Sequence, residues 1–161
     1  MIPMLRELFQ HQAWADAAVL NAVRGHADAW NDEKLRSILH HIAMVQRAFF
    51  SLYAGRPFDM KKETTIPESL AELEAAFREA HEQQLGFVSQ LEEAQLNRII
   101  DMPWIPGCRP SLAEALLQVV MHSQNHRGQC LTKLRSITGN APTLDFILWV
   151  KDRPAAAWAL A

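Results

Sequence analysis

His122 and His126 stand four residues apart in the run HSQNHRGQ, residues 122–129. On an α-helix that spacing stacks two side chains on one face, one turn apart. Two imidazoles so placed can aim at a single point, which is what a bound divalent metal ion requires. A metal site takes at least three protein ligands, so a third has to come from elsewhere in the chain. Ser123 occupies the place where an H-E-x-x-H protease carries its general base, which excludes that route to hydrolysis.

The elements that must position these groups read as helices separated by loops. A first helix is expected from about Met4 to Arg24, stopped by Gly25. A second begins at Asn31–Asp32, which can cap it, and ends before Gly55. Residues 55–67 hold two prolines and mixed charge and read as a loop. Ser69 and Glu72 form an S-x-x-E capping box for a third helix, which runs to about Glu93. Residues 101–110 (DMPWIPGCRP) are too rich in Pro and Gly for a helix. Ser111 and Glu114 form a second capping box for a fourth helix, ending at Gly139. A short fifth helix is expected from Pro142–Thr143 through TLDFILWVKD, before an Ala-rich tail expected to fray. The expected architecture is therefore all-α, a four-helix bundle with a short C-terminal fifth helix, one domain over residues 1–161.

Helical phase sorts the seven histidines. Leu35, Ile38, Ile42, Val45, Phe49 and Leu52 mark the apolar seam of the second helix. At about 100° per residue, His41 lies roughly 70° from that seam and His40 roughly 170°. His40 is thus expected to face solvent, and His41 the edge of the core. The third helix carries the seam Leu70, Leu73, Phe77, Ala80, Gln84, Phe87 and Leu91. On the fourth the seam is Leu112, Leu116, Val119, Ser123, Cys130, Leu134 and Ile137, with His126 within roughly 60° and His122 within roughly 100° of its centre. His41, His122 and His126 converge if the second and fourth helices are neighbours. A three-His set leaves coordination positions open, the arrangement of a catalytic rather than a structural zinc. The competing reading is plain packing, since a single edge histidine is more often structural than a ligand. His11, on the inward stripe of the first helix, could be a fourth ligand or a donor to one. His81 sits on a helix flank with no special claim, and His26 reads as solvated.

Composition narrows the function classes. The chain has 161 residues, is 49% hydrophobic and 21% charged, and carries a formal net charge of -2. That is ordinary globular composition, and no basic stripe suggests nucleic acid as a partner. The N-terminus lacks the pattern of a signal peptide, and no run reaches the roughly 20 apolar residues of a membrane span. Two isolated cysteines, Cys108 and Cys130, make no metal knuckle or redox pair, and a reducing cytoplasm is the simplest compartment.

Three segments then carry a resemblance. HQAWAD (11–16), LHHIAMVQRAFFSLYAG (39–55) and, most specifically, HSQNHRGQ (122–129) resemble the DinB family, the DinB/YfiT-like metalloenzymes; PTLDFI (142–147) fits its closing element. The likeness covers nearly the whole chain in the right order. It implies a four-helix bundle with a metal site at His41, His122 and His126. Two departures stand out: Gln46 lies where the family often has Glu, and Asp16 where many members have Asn. The latter could place a carboxylate near the site.

Characterised relatives include thiol S-transferases that use mycothiol, bacillithiol or glutathione, and a mycothiol-dependent maleylpyruvate isomerase. The resemblance therefore implies a divalent metal cofactor, Zn or Ni, and transfer of a low-molecular-weight thiol to a small-molecule electrophile. It also implies a homodimer, to which Trp149 and Trp158 could contribute. The alternative is a non-catalytic, stress-associated module that binds a metal or small ligand. Among other groups, Arg127 could bind a substrate carboxylate or pair with one of the bundle. Cys130 reads as a small buried hydrophobe, and Cys108 as incidental in its loop. Trp14 reads as core, and Trp104 could line a pocket mouth.

Overall fold

The computed structural model describes residues 1–154 and 157–158. It is all-α: α1 (Ile2–Arg24), α2 (Ala27–Asn31), α3 (Glu33–Tyr53), α4 (Met60–Glu63), α5 (Leu70–Ser89), α6 (Leu112–Thr138) and α7 (Phe146–Asp152). Among the described residues there is no strand, only an isolated bridge between Ile99 and Ser111. Among the described residues no helix is long and apolar enough to cross a membrane.

Local chemistry sets the helix ends. Asp32 caps α3, its carboxylate accepting the Leu35 N–H at 2.8 Å. Ser111 and Glu114 form the full capping box expected for α6: Ser111 Oγ accepts the Glu114 N–H, and Glu114 accepts the Ser111 N–H. Helix α6 stops at Gly139, whose φ of 77° suits glycine. The box expected at α5 is only half made. Ser69 accepts from Glu72 N–H, but the Glu72 carboxylate turns to the N–H of Glu68.

Other boundaries differ from expectation. Pro3 is accommodated in the first turn of α1, where a missing N–H costs nothing, so the helix starts at Ile2. Single-turn helices α2 and α4 fall in stretches read as connections, too short to show a period. Helix α5 ends at Ser89, and a 3₁₀ turn takes Glu93–Gln95. Helix α7 begins at Phe146, because Leu144 is buried and its carbonyl bonds to His11 Nε2, holding that segment extended. The Ala-rich tail lies in part outside the described residues.

The four long helices form a square. Helix α1 packs on α5 and α6, and α3 packs on the same two. One apolar cluster joins Phe9 of α1, Phe49 and Tyr53 of α3, Val88 of α5 and Leu116 of α6. A second joins Val19, Ile38, Phe77 and Leu134 from the same helices. The order of these residues along each helix shows that α1 and α6 run one way and α3 and α5 the other. Helices α3 and α6, which carry the histidines of interest, are therefore antiparallel neighbours.

Between the two clusters lies a buried polar layer: Gln12, Asp16, Gln46, His81, Gln84, Ser123 and Arg127, each no more than 2% exposed. Every long helix contributes to it. Trp149, considered for a dimer surface, is buried against His11 and Phe146, and Trp158 is half-buried.

Candidate metal centre

Helix α3 presents His41 and helix α6 presents His122 and His126 to the groove between them. The three rings pack together, with centroids 5.0 Å (His41–His122), 4.7 Å (His41–His126) and 4.4 Å (His122–His126) apart. Ligand nitrogens of the three all lie within 4.8 Å of one another. His41 Nε2 and His122 Nε2 are 3.2 Å apart. Two nitrogens bound at about 2.0–2.1 Å to a tetrahedral ion would stand about 3.3 Å apart, so this pair fits a divalent metal. His126 Nδ1 lies 3.1 Å from Gln129 Oε1, and donation to that carbonyl leaves the Nε2 lone pair free. His122 Nδ1 is buried and has no partner among the described residues.

The electrostatics favour neutral rings. Burial first, then the His126 and His41 imidazoles, lower His122 to about 4. Burial, then His126 and His40, also lowers His41. Neutral imidazole is the form that carries a lone pair for a metal. The three-His group can therefore hold a divalent ion.

The remaining candidates lie elsewhere. His40 turns away from the group, as its phase predicts, but α4 and its neighbours half-bury it rather than leaving it in solvent. His11 is buried against Trp14, Phe146 and Trp149 and bonds to the Leu144 carbonyl at 2.9 Å, so it joins no metal group. Cys130 is buried, and burial pushes its thiol up to about 12, as suits a packed hydrophobe. Cys108 is exposed. Trp14 is half-buried, and Trp104 stands on Phe49 with 37% exposure.

Asp16 sits in the polar layer. Its Oδ1 accepts from Arg127 Nη1 at 2.7 Å; its Oδ2 accepts from Gln46 Nε2 at 2.7 Å and faces His81 Nε2 at 3.0 Å. Burial raises the Asp16 carboxyl, but Arg127 and His81 outweigh it and hold the group below its usual value. Arg127 thus pairs with a bundle carboxylate. Gln46 also donates to Ser123 Oγ at 3.2 Å, and Gln84 donates to the Gln46 carbonyl at 2.9 Å. The two departures from the family pattern meet here: the amide of Gln46 donates to the carboxylate of Asp16. The layer thus holds one carboxylate and one amide, on α1 and α3 respectively. His81 was missed as a member because its helix flank gave no hint of an acidic partner on α1.

On α6 two columns run side by side. His122 and His126 face α3; Ser123 and Arg127, one residue on, face the interior. Bonds from Gln46 and Asp16 to that inner column pin the rotation of α6, and so the direction of the histidines.

A family model for the DinB superfamily matches residues 5–130, a span that includes all three histidines. The chain belongs to that superfamily. No curated protein and no solved structure matches it.

Proposed function

With DinB superfamily membership as the premise, we propose that His41, His122 and His126 bind a divalent metal ion, Zn or Ni, and that the protein is a metal-dependent transferase. It joins a low-molecular-weight thiol to a small electrophile, or performs a related isomerisation, in the cytoplasm and as a homodimer. The observation that carries this reading is the convergence of three imidazoles, two of them at the spacing of ligands on one ion.

When bound, the ion would supply Lewis acidity, lowering the pKa of a thiol and holding it as thiolate. The chain's residues do the rest. His41, His122 and His126 would hold the ion and leave coordination open to the thiol. Gln129 orients His126 from outside the ring. In the transfer, the thiol proton passes to solvent, the sulfur bonds to the electrophilic carbon, and the displaced group departs with its bonding pair.

The test is to load the protein with Zn or Ni in turn and assay conjugation of mycothiol, bacillithiol or glutathione to a panel of electrophiles. A rate that depends on metal and is lost in His41→Ala supports transfer. Stoichiometric metal without turnover for any thiol would reject it and leave the non-catalytic binding module. One observation favours that second reading. The family's Glu is here Gln46, a buried amide already engaged with Asp16 and Ser123 and unable to act as a base.

A further inference from the structure

The groove holding the three imidazoles extends past them. On α3, Val45 and Phe49 follow His41 at intervals of four; on α6, Gln118 and Glu114 precede His122 at the same interval. The helix stripes that carry the histidines therefore continue as the two walls of one channel. Between them lies a cleft of about 700 Å³ that reaches His122 and is roofed by residues 101–110. Its surface is mostly apolar: Val45, Phe49, Met102, Trp104, Ile105 and Ala115. In the other direction Lys133 Nζ of α6 pairs with Asp32 Oδ2 at the start of α3, 2.8 Å away, and links the two helices.

The charged groups around the cleft are already engaged. Arg109 pairs with Asp101 at 2.7 Å, and the Glu114 carboxylate accepts from both the N–H and the hydroxyl of Ser111. The Gln118 amide is a polar group of the cleft without a partner among the described residues. A charged ligand would have to displace one of these pairs, whereas an apolar one gains the aromatic wall. The volume is that of a small-molecule site between bundle helices.

We propose that this cleft binds the body of the electrophile and selects uncharged molecules bearing a flat aromatic group, with Trp104 as the specificity-determining side chain. This rests on the metal-centre reading above. Trp104 stands edge-on to Phe49, ring centroids 5.7 Å apart, and separates the cleft from a smaller one lined by Leu52 and Phe58. Removing its indole takes away the face on which a ring would lie.

Two measurements test the proposal, the second of them independent of the metal. In the first, imidazole and 4-phenylimidazole are titrated into cobalt(II)-loaded protein and followed by visible absorption. The phenyl compound should bind about tenfold tighter, from burial of its ring. Trp104→Ala should remove most of that preference and leave imidazole affinity unchanged. In the second, 4-phenylimidazole should slow modification of Cys108, which lines the cleft, by a disulfide reagent, with or without metal; buried Cys130 should not react. Equal affinity for the two probes, a preference that survives Trp104→Ala, or an unprotected Cys108 overturns the proposal. A cobalt spectrum that responds to neither probe counts against the three-His centre, and Cys108 protection then decides the cleft alone.

Discussion

Two polar clusters lie at the same level of this bundle and differ in every respect that matters. The layer around Asp16 is buried and charged, with carboxylate against guanidinium, imidazole against carboxylate, and amide against both carboxylate and hydroxyl. Within it Gln12 Oε1, Gln46 Oε1 and His81 Nδ1 have no partner among the described residues. The His41, His122 and His126 group is half-exposed and made of like with like. A buried group that has found its complement holds helices together. Three imidazoles whose ring nitrogens converge offer lone pairs that suit a cation from outside. Polarity in a core does not by itself mark a site; convergence of metal-ligating atoms does.

That contrast can be broken by substitution. The largest effect is expected on the buried side: Arg127→Met leaves Asp16 buried without its counter-charge and should cost about 3–5 kcal/mol of stability by denaturant titration. A cost near zero would sink the claim that this pair is structural. On the open side, His122→Ala should leave helix content and melting unchanged in metal-free protein. It should weaken metal binding by more than about 100-fold in chelator competition, beyond the range for loss of an outer partner.

Next comes the Asp16–Gln46 pair. Asp16→Asn alone and Gln46→Glu alone should each destabilise, the first by stranding Arg127 and the second by setting two carboxylates together. Asp16→Asn/Gln46→Glu should recover about 1–3 kcal/mol of the summed losses. Strict additivity would show that the two positions do not share one charge. Gln129→Ala, which removes only the partner of His126 Nδ1, should weaken metal binding by about tenfold.

The smallest effect concerns pH. His122 falls to about 4 when folded, below its ordinary 6.5, so between those values the unfolded chain binds more protons. The stability tied to its neutral ring is full above about 6.5 and is lost as pH falls through about 4. His41 shifts in the same direction. Denaturation of metal-free protein across this window should show stability rising with pH; a fall would contradict burial of the neutral rings.

Much of this was legible in the sequence, for reasons particular residues make clear. His41 separates from His40 because a long helix with a regular seam has a well-defined phase, and one residue is worth 100°. Asp32, Ser111 and Gly139 mark helix ends because their chemistry is local. The buried layer was legible only in fragments: Gln84 and Ser123 fell on apolar seams, which said they were inside but not what they met. Their partners lie on other helices, so His81 looked unremarkable until α5 was seated beside α1. Single-turn α2 and α4 carry no period to read, and the extended Leu144 segment depends on a bond to His11 far away in the chain.

The distance in sequence between bonded residues has its own consequence. His41 and His122 are 81 positions apart, and Asp16 and Arg127 are 111. A bound ion would therefore act as a removable staple between the two halves of the chain. No contiguous fragment around either half carries all three ligands. Binding to the folded form alone adds about 2.7 kcal/mol when free metal is 100 times its dissociation constant. Metal supply would then govern how long the chain survives unfolding and proteolysis, whatever reaction the groove performs.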